Sequence, residues 1–251
     1  MTAGQSFKDH FSEQSASYAR YRPRYPKTLF SHIAGLCDRH ELAWDCATGN
    51  GQSALGVVDY FAQVVATDAS EAQIAAAVPH DRVTYSVAPA EHSGLDDDSV
   101  DLLTVGQALH WFDLPRFFAE TARVVRSHGV VTAWSYRLCN VNQAVDAEVG
   151  HLYSDIVDAF WPPERDIVDR AYIDIEFPGP LLDLPEFEMS VAWTVDDMLG
   201  YLRTWSASKR YVNHYGRDPV AMIEAGLRDA WGDGTHTAIW PLTVCAYRLA
   251  D

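Results

Sequence analysis

The stretch WDCATGNG, residues 44–51, decides the fold. It overlaps the apolar run from Leu42 to Cys46, which predicts a β-strand, and it precedes a helical pattern from Ser53 to Phe61. Gly49 and Gly51 fall in the turn between them, where glycine lets the backbone approach a ligand closely. The sequence therefore predicts a strand, a glycine loop and a helix that together bind a ligand.

An acid follows the next predicted strand. Gln63 to Thr67 reads as a strand, and Asp68 comes directly after it, 17 residues beyond Gly51. A carboxylate at this place in a βαβ unit can accept both hydroxyls of a ribose. The loop and the acid together predict a cofactor that contains a nucleoside.

Three functions fit such a cofactor. Gly49, Gly51 and Ala54 satisfy a dinucleotide fingerprint, as in an NAD(P)-dependent oxidoreductase. Asp45, at the end of the strand, would repel a pyrophosphate but suits a cationic amino-acid ligand. S-adenosylmethionine carries a ribose, an ammonium and a sulfonium, so we expect a methyltransferase. A nucleoside-binding module without catalysis is the third possibility.

The rest of the chain extends this α/β pattern. Strand-like and helical patterns alternate from residue 28 to 136, which predicts βαβ units and a parallel sheet. An apolar stripe from Val145 to Phe160 predicts one long helix. Capping signals predict helices after Thr194 and from Asp218-Pro219 to Gly232. The other predicted strands are Val83 to Val87, Val100 to Val105, Gly129 to Trp134, Phe187 to Trp193 and Thr237 to Tyr247.

The amino-acid composition limits the classes of partner that the protein is expected to bind. The 251 residues include 19 Lys and Arg against 35 Asp and Glu, a formal net charge of −16, which disfavours nucleic acid and anionic membranes. No apolar run approaches the ~18 residues of a membrane span, and the N-terminus lacks a signal-peptide core. The four cysteines form no C-x-x-C pair, and the acidic run 96–98 lacks metal-ligand spacing. We expect a soluble, cytoplasmic protein without a bound metal.

The sequence resembles the class I S-adenosylmethionine-dependent methyltransferases of the small-molecule type, and within them the type 11 group. The resemblance runs from about Glu41 to Tyr136. DCATGNG resembles the motif D-x-G-x-G-x-G, with Ala47 in place of the first glycine, so we expect the loop to avoid a left-handed conformation there. Outside the core, YARYRPRYP (residues 18–26) and LRTWSASKRY (residues 202–211) resemble relatives of the trans-aconitate methyltransferases.

The resemblance implies a Rossmann-like, three-layer α/β/α sandwich with a helical cap. Its seven-stranded sheet is mostly parallel, with an antiparallel last strand inserted between the fifth and sixth. We expect one domain over residues 1–251, with a core at 28–136, a cap insertion at about 140–185 and C-terminal strands and helices at 187–251. Pro241 interrupts the last predicted strand, so a bulge is expected there.

The resemblance also implies a set of site residues and S-adenosylmethionine as cofactor. His110 is the candidate general base, or else a residue that only shapes the pocket. The arginines among residues 20–24 are expected to form a lid that grips a carboxylate. The acceptor is expected to be a small polar molecule, with O- or carboxyl-methylation favoured. The expected cofactor-binding residues are Tyr18, Arg22, Asp45, Ala47, Gly49, Gly51, Asp68, Ala69, Ala90, Glu91 and Gln107. The expected substrate-binding residues are Arg24, Tyr25, Trp111 and Trp205, although Trp205 also fits a purely packing role.

Overall fold

The computed structural model describes residue 21 and residues 23–250. The strands are β1 Leu42–Cys46, β2 Gln63–Asp68, β3 Val83–Val87, β4 Val100–Gly106, β5 Val125–Tyr136, β6 Phe187–Trp193 and β7 His236–Arg248. They form one sheet in the order β3-β2-β1-β4-β5-β7-β6. The first five strands run parallel, whereas β7 lies antiparallel between β5 and β6. The predicted sheet, including its inserted last strand, is confirmed.

The helices bracket these strands. They are α1 Lys27–Gly35, α2 Gln52–Val57, α3 Glu71–Ala75, α4 Leu114–Val124, α5 Gln143–His151, α6 Arg165–Asp169, α7 Val195–Arg203, α8 Ser206–Tyr215 and α9 Glu224–Trp231. Thr194 caps α7 as expected, and the cap is a capping box in which its hydroxyl and the Asp197 carboxylate each accept the other residue's N–H. Ser70 caps α3, since its hydroxyl accepts the N–H of Gln73.

Two predicted helices are wrong in their continuity. The stripe from Val145 to Phe160 folds as α5, a π-helical turn at Leu152–Ile156 and a 3₁₀ turn at Asp158–Phe160. The last helix is likewise preceded by a separate 3₁₀ turn at Val220–Met222. Apolar spacings of three and four residues are compatible with all of these turns, so the pattern did not separate them.

Apolar side chains of alternating strand residues build a core on each face of the sheet. On one face, Leu102 of β4 packs in a cluster with α1 and α2, where Phe30 and Val57 are buried. On the other face, the adjacent Leu103 packs in a cluster with Phe117 of α4. The structure is therefore a three-layer sandwich, as predicted.

The cap is built from two separate stretches of chain. Val149 of α5 and Leu152 lie in one buried cluster with Tyr201 of α7 and Leu227 of α9. Trp240 of β7 belongs to the same cluster, and its indole N–H donates to the Tyr201 hydroxyl at 3.2 Å. Helices that precede β6 in the sequence and helices that follow it thus share one core against the sheet.

Pro241 lies in β7 without the expected bulge. The register with β6 is continuous, and Pro241 stands opposite Glu188. Pairing with β5 begins only at Leu242. The N–H of Ile239, two residues earlier, points to the β5 side and donates to the backbone carbonyl of Asn140. An N–H at position 241 would point to the same side, where the pairing with β5 has already ended. The missing donor of Pro241 therefore breaks no hydrogen bond of the sheet, and no bulge is needed.

Candidate cofactor and acceptor site

The glycine loop after β1 is left-handed at three positions. The φ angles are 55° at Ala47, 57° at Gly49 and 89° at Gly51. The expectation that Ala47 avoids this region is wrong. The neighbouring Thr48 N–H donates to the Thr67 carbonyl at 2.9 Å, which holds the loop against β2. The left-handed conformation costs a non-glycine residue about 1–2 kcal/mol, so Ala47 stores strain in the loop.

Gly51 is required for space as well as for its backbone angle. A Cβ atom at Gly51 would lie 2.3 Å from the Tyr85 hydroxyl oxygen. That hydroxyl donates to the carbonyl of Val78 at 2.9 Å, so Tyr85 is tied in place. A side chain at Gly51 would have to displace the tyrosine from the loop.

Asp68 braces the same loop from the end of β2. Its Oδ2 accepts the Gly49 N–H and its Oδ1 accepts the Ser70 N–H, both at 2.9 Å. The residue is only 9% exposed. Asp68 thus lies directly against the glycine loop, at the carboxyl end of β2. The carboxylate is therefore placed to accept hydroxyl donors of a ligand over the loop.

Asp45 is a buried carboxylate at the end of β1. Its oxygens accept the Thr48 hydroxyl and, at 2.8 Å, the Thr104 hydroxyl from β4. Burial raises the pKa of Asp45 to about 6, against the effect of these hydrogen bonds. A charged carboxylate that is shielded from water in this way is stabilised by a nearby cation.

A second clamp holds the segment after β3. Ala90 is buried, and the Glu91 carboxylate accepts the Asp113 N–H at 2.9 Å. Close by, Glu120 of α4 accepts both the N–H and the hydroxyl of Ser93, at 2.7 and 2.6 Å. These contacts fix the chain beyond β3 against the start and the middle of α4.

The turn after β4 is held against the end of β5. Gln107 has a φ of 57°, its N–H donates to the Trp134 carbonyl, and its Nε2 donates to the Tyr136 carbonyl at 3.0 Å. Its Oε1 is buried and has no hydrogen-bond partner among the described residues. An unpaired buried acceptor is costly, so this atom is suited to a ligand N–H donor.

His110 lies in the 3₁₀ turn Leu109–Trp111, just beyond Gln107. His110 is 8% exposed, and its ring packs at a tilt of 44° against that of Trp111, with centroids 4.7 Å apart. Burial, aided by the positive charge of Arg165, lowers the pKa of His110 to about 3. The imidazole is therefore neutral at physiological pH.

Comparisons with known proteins find methyltransferases. Residues 44–133 match a family described as a methyltransferase domain. A candidate methyltransferase of Dictyostelium discoideum is 35% identical over 229 residues, which cover 90% of this chain and 87% of that protein. The solved structure of a candidate type II methyltransferase from Anaeromyxobacter dehalogenans is 44% identical. It superposes with a TM-score of 0.86 over 91% of this chain and 98% of the other.

This chain belongs to the class I S-adenosylmethionine-dependent methyltransferases. The assignment decides against the dinucleotide-dependent oxidoreductase. These comparisons do not separate the subgroups of the family, so the resemblance to relatives of the trans-aconitate methyltransferases stays a prediction.

The methyltransferase site fits S-adenosylmethionine as its cofactor. The expected cofactor residues that the structure describes lie at or just beyond the carboxyl ends of four adjacent parallel strands: Asp45, Ala47, Gly49 and Gly51 at β1, Asp68 and Ala69 at β2, Ala90 and Glu91 after β3, and Gln107 after β4. Asp68 suits the ribose hydroxyls. Gln107 Oε1 and the buried charge of Asp45 suit the ammonium group. Their contacts with the cofactor remain predictions.

The expected N-terminal lid is described only in part. Tyr18, Arg20 and Arg22 lie outside the described residues. Arg24 is exposed, whereas Tyr25 packs edge-on against Trp134 with centroids 5.3 Å apart. The Pro23 carbonyl accepts the Gln52 side-chain amide at 3.4 Å, so this segment crosses the start of α2 beside the glycine loop.

The two candidate substrate-binding tryptophans have different surroundings. Trp111 is half-buried in the turn after β4, next to His110. Trp205 is 4% exposed and packs edge-on against Tyr153 and Tyr201 of the cap. Its observed role is packing, and direct binding of a substrate stays a prediction.

Sequence reasoning missed several polar residues of the site. Thr48 and Thr104 hold the Asp45 carboxylate, although threonine in a strand or turn gives no distinctive signal. Arg165 of α6 influences His110 from 55 residues away in the sequence. The motif DCATGNG located the loop and its acid but not these long-range neighbours.

The described part of the chain contains no group of three or more His, Cys, Asp or Glu residues arranged to hold a metal ion. Among the same residues, no helix has the length and apolar character needed to cross a membrane. All four cysteines are buried free thiols.

Proposed function

We propose that this methyltransferase forms the methyl ester of a small polar molecule that carries a carboxylate. The observation that carries the proposal is the neutral, buried His110, whose pKa is lowered to about 3. An imidazole with so low a pKa is a weak proton acceptor, so it gives little help to an acceptor that must lose a proton. A carboxylate is ionised at neutral pH and needs no base.

The reaction then balances without a proton. With S-adenosylmethionine bound, its sulfonium would supply the methyl group. The carboxylate oxygen would form the new O–C bond, and the C–S electron pair would return to sulfur. The turn after β4 has a positioning role, because Gln107 and Trp111 frame the place where acceptor and cofactor meet. Positioning and exclusion of water supply the acceleration.

The test is the chemical stability of the transferred methyl group. The purified protein is incubated with methyl-labelled S-adenosylmethionine and a deproteinised metabolite extract, and the products are treated with mild alkali. A carboxyl methyl ester releases labelled methanol. Label that survives alkali identifies an ether or an amine and overturns the proposal. Tight binding of the demethylated cofactor without any transfer would indicate the inactive nucleoside-binding module.

A His110→Asn variant separates a base from a residue that shapes the pocket. General base catalysis is worth about 10²–10⁴-fold, whereas loss of a shaping side chain costs about tenfold or less. We expect the smaller loss, and a kcat that stays level from about pH 6.5 to 8.5 at saturating cofactor. A kcat that rises with a single ionisation in this range and disappears in the variant would restore His110 as the base.

A further inference from the structure

Arg165 presents an unused hydrogen-bonding face at the acceptor end of the site. Its Nε donates to the Tyr153 hydroxyl at 3.1 Å and lies 3.3 Å from Oδ1 of Asp169. Its two terminal amino groups make no hydrogen bond to any residue that the structure describes. The side chain is 17% exposed. These terminal groups form the fork that grips a carboxylate through two parallel bonds.

The cap brings this arginine to the turn after β4. Helix α6 packs against the turn Leu109–Trp111, and the guanidinium charge contributes to the lowered pKa of His110. Arg165 therefore lies within electrostatic reach of the imidazole that marks the acceptor end. Helix α6 and the turn are far apart in the sequence, so only the folded cap creates this arrangement.

The surroundings hold the guanidinium rigidly and keep water away from it. Its carbon lies 5.1 Å from the Trp161 ring centroid and 5.7 Å from that of Tyr153. The Tyr153 hydroxyl donates to Oδ2 of Asp169, so that carboxylate is engaged on both oxygens. A cation flanked by aromatic rings binds an anion more strongly than one in bulk water.

The local charge is positive in spite of the acidic chain. Asp169 is shared between Arg165 and Arg137, whose Nε is also 3.3 Å from Oδ1. Two arginines against one aspartate leave one positive charge in this cluster. A purely structural ion pair would be expected to use the guanidinium fork, yet Arg165 contacts Asp169 only through its Nε, and its fork is left for another anion.

We propose that Arg165 binds a carboxylate group of the methyl acceptor and sets the preference of the site for organic acids. Tyr153 and Asp169 are positioning residues that fix the angle of the guanidinium. The role assigned to Arg165 rests on the proposed carboxyl methylation. The predicted lid of N-terminal arginines stays a separate prediction, since Arg20 and Arg22 lie outside the described residues.

The experiment measures carboxylate binding directly. Succinate, glutarate and benzoate are titrated into protein saturated with S-adenosylhomocysteine, with the corresponding neutral amides as references, and Trp fluorescence is followed. We expect Arg165→Gln to weaken carboxylate binding at least tenfold and Arg165→Lys to weaken it about threefold, because lysine keeps the charge but loses the fork. Amide binding and affinity for S-adenosylhomocysteine stay unchanged.

Arg170→Gln is the matched control. Arg170 lies next to the end of α6, is 63% exposed and pairs with Asp174. We expect wild-type carboxylate binding from this variant. Equal loss in the Arg165 and Arg170 variants, or no saturable carboxylate binding to the wild type up to about 10 mM, overturns the role of Arg165.

Failure of the two proposals can be distinguished. Alkali-stable label with intact, Arg165-dependent carboxylate binding rejects carboxyl methylation but keeps the carboxylate site. Alkali-labile label with wild-type kcat and KM in Arg165→Gln rejects the carboxylate site but keeps the reaction. Wild-type affinity for S-adenosylhomocysteine in each variant shows that the fold is intact.

Discussion

Asp45 is expected to make the protein more stable as the pH falls, opposite to the usual effect of a carboxylate. Its pKa is raised from 3.8 to about 6, mainly by burial. The protonated form is therefore bound preferentially by the folded state. The resulting stabilisation is fully present below pH 3.8 and is lost as the pH rises through about 6. At 1.36 kcal/mol per pKa unit, the limit of this effect is about 3 kcal/mol.

Asp45→Asn isolates this contribution, because it keeps the shape of the side chain and cannot titrate. Urea unfolding of both proteins is followed by Trp fluorescence between about pH 4 and 7.5, where about 2 kcal/mol of the effect should appear. We expect the difference in the free energy of unfolding between wild type and variant to change by that amount over this range. The wild type should become relatively more stable at low pH. Effects of other carboxylates cancel in the difference.

A constant difference across this range would refute the reasoning, because it would mean that the carboxylate is not desolvated. Thr104→Val provides the control. It removes a hydrogen bond that favours the ionised form, so we expect the titration to move to higher pH. Binding of a cationic cofactor should lower the pKa of Asp45. We therefore also expect cofactor affinity to rise from about pH 5 to 7 in the wild type and not in Asp45→Asn.

Three further predictions concern the loop and its supports. Ala47→Gly should raise the free energy of unfolding by about 0.5–1 kcal/mol, measured by urea titration, because it relieves a left-handed alanine; Ala54→Gly in α2, the control, should lower it. Asp68→Ala should weaken cofactor binding at least tenfold by calorimetry, and unchanged affinity would remove Asp68 from the site. Glu120, whose pKa is lowered to about 2 chiefly by Arg123, stabilises the fold above pH 4.5 and loses this effect as the pH falls toward 2. Glu120→Gln should therefore cost about 1–3 kcal/mol at pH 7 and nothing extra at low pH.

Local sequence patterns predicted the sheet well because its strands are short apolar runs with clear ends. The strand β3 and the strand β6 have the predicted bounds, and β1 leads into the predicted loop. The order of the strands followed from the family resemblance. Asp68 could be placed because the βαβ connection dictates where the second strand ends relative to the loop.

The errors arose where surroundings override a local rule. Ala47 is left-handed because the bonds of Thr48 to β2 fix the turn, and a steric rule for single residues does not include them. Pro241 needed no bulge because the neighbouring ladder ends beside it. Arg165 was missed because its significance depends on cap packing, which brings together residues distant in the chain.

The division of the cap into two stretches has a consequence for the order in which the molecule assembles. The cluster around Val149 and Leu227 joins residues about 80 positions apart, one before β6 in the sequence and one after it. Closing so long a loop is entropically slow, whereas β1 pairs with β2, and β2 with β3, across only about 20 residues. We therefore expect the glycine loop and Asp68 to take up their positions before the two stretches of the cap come together.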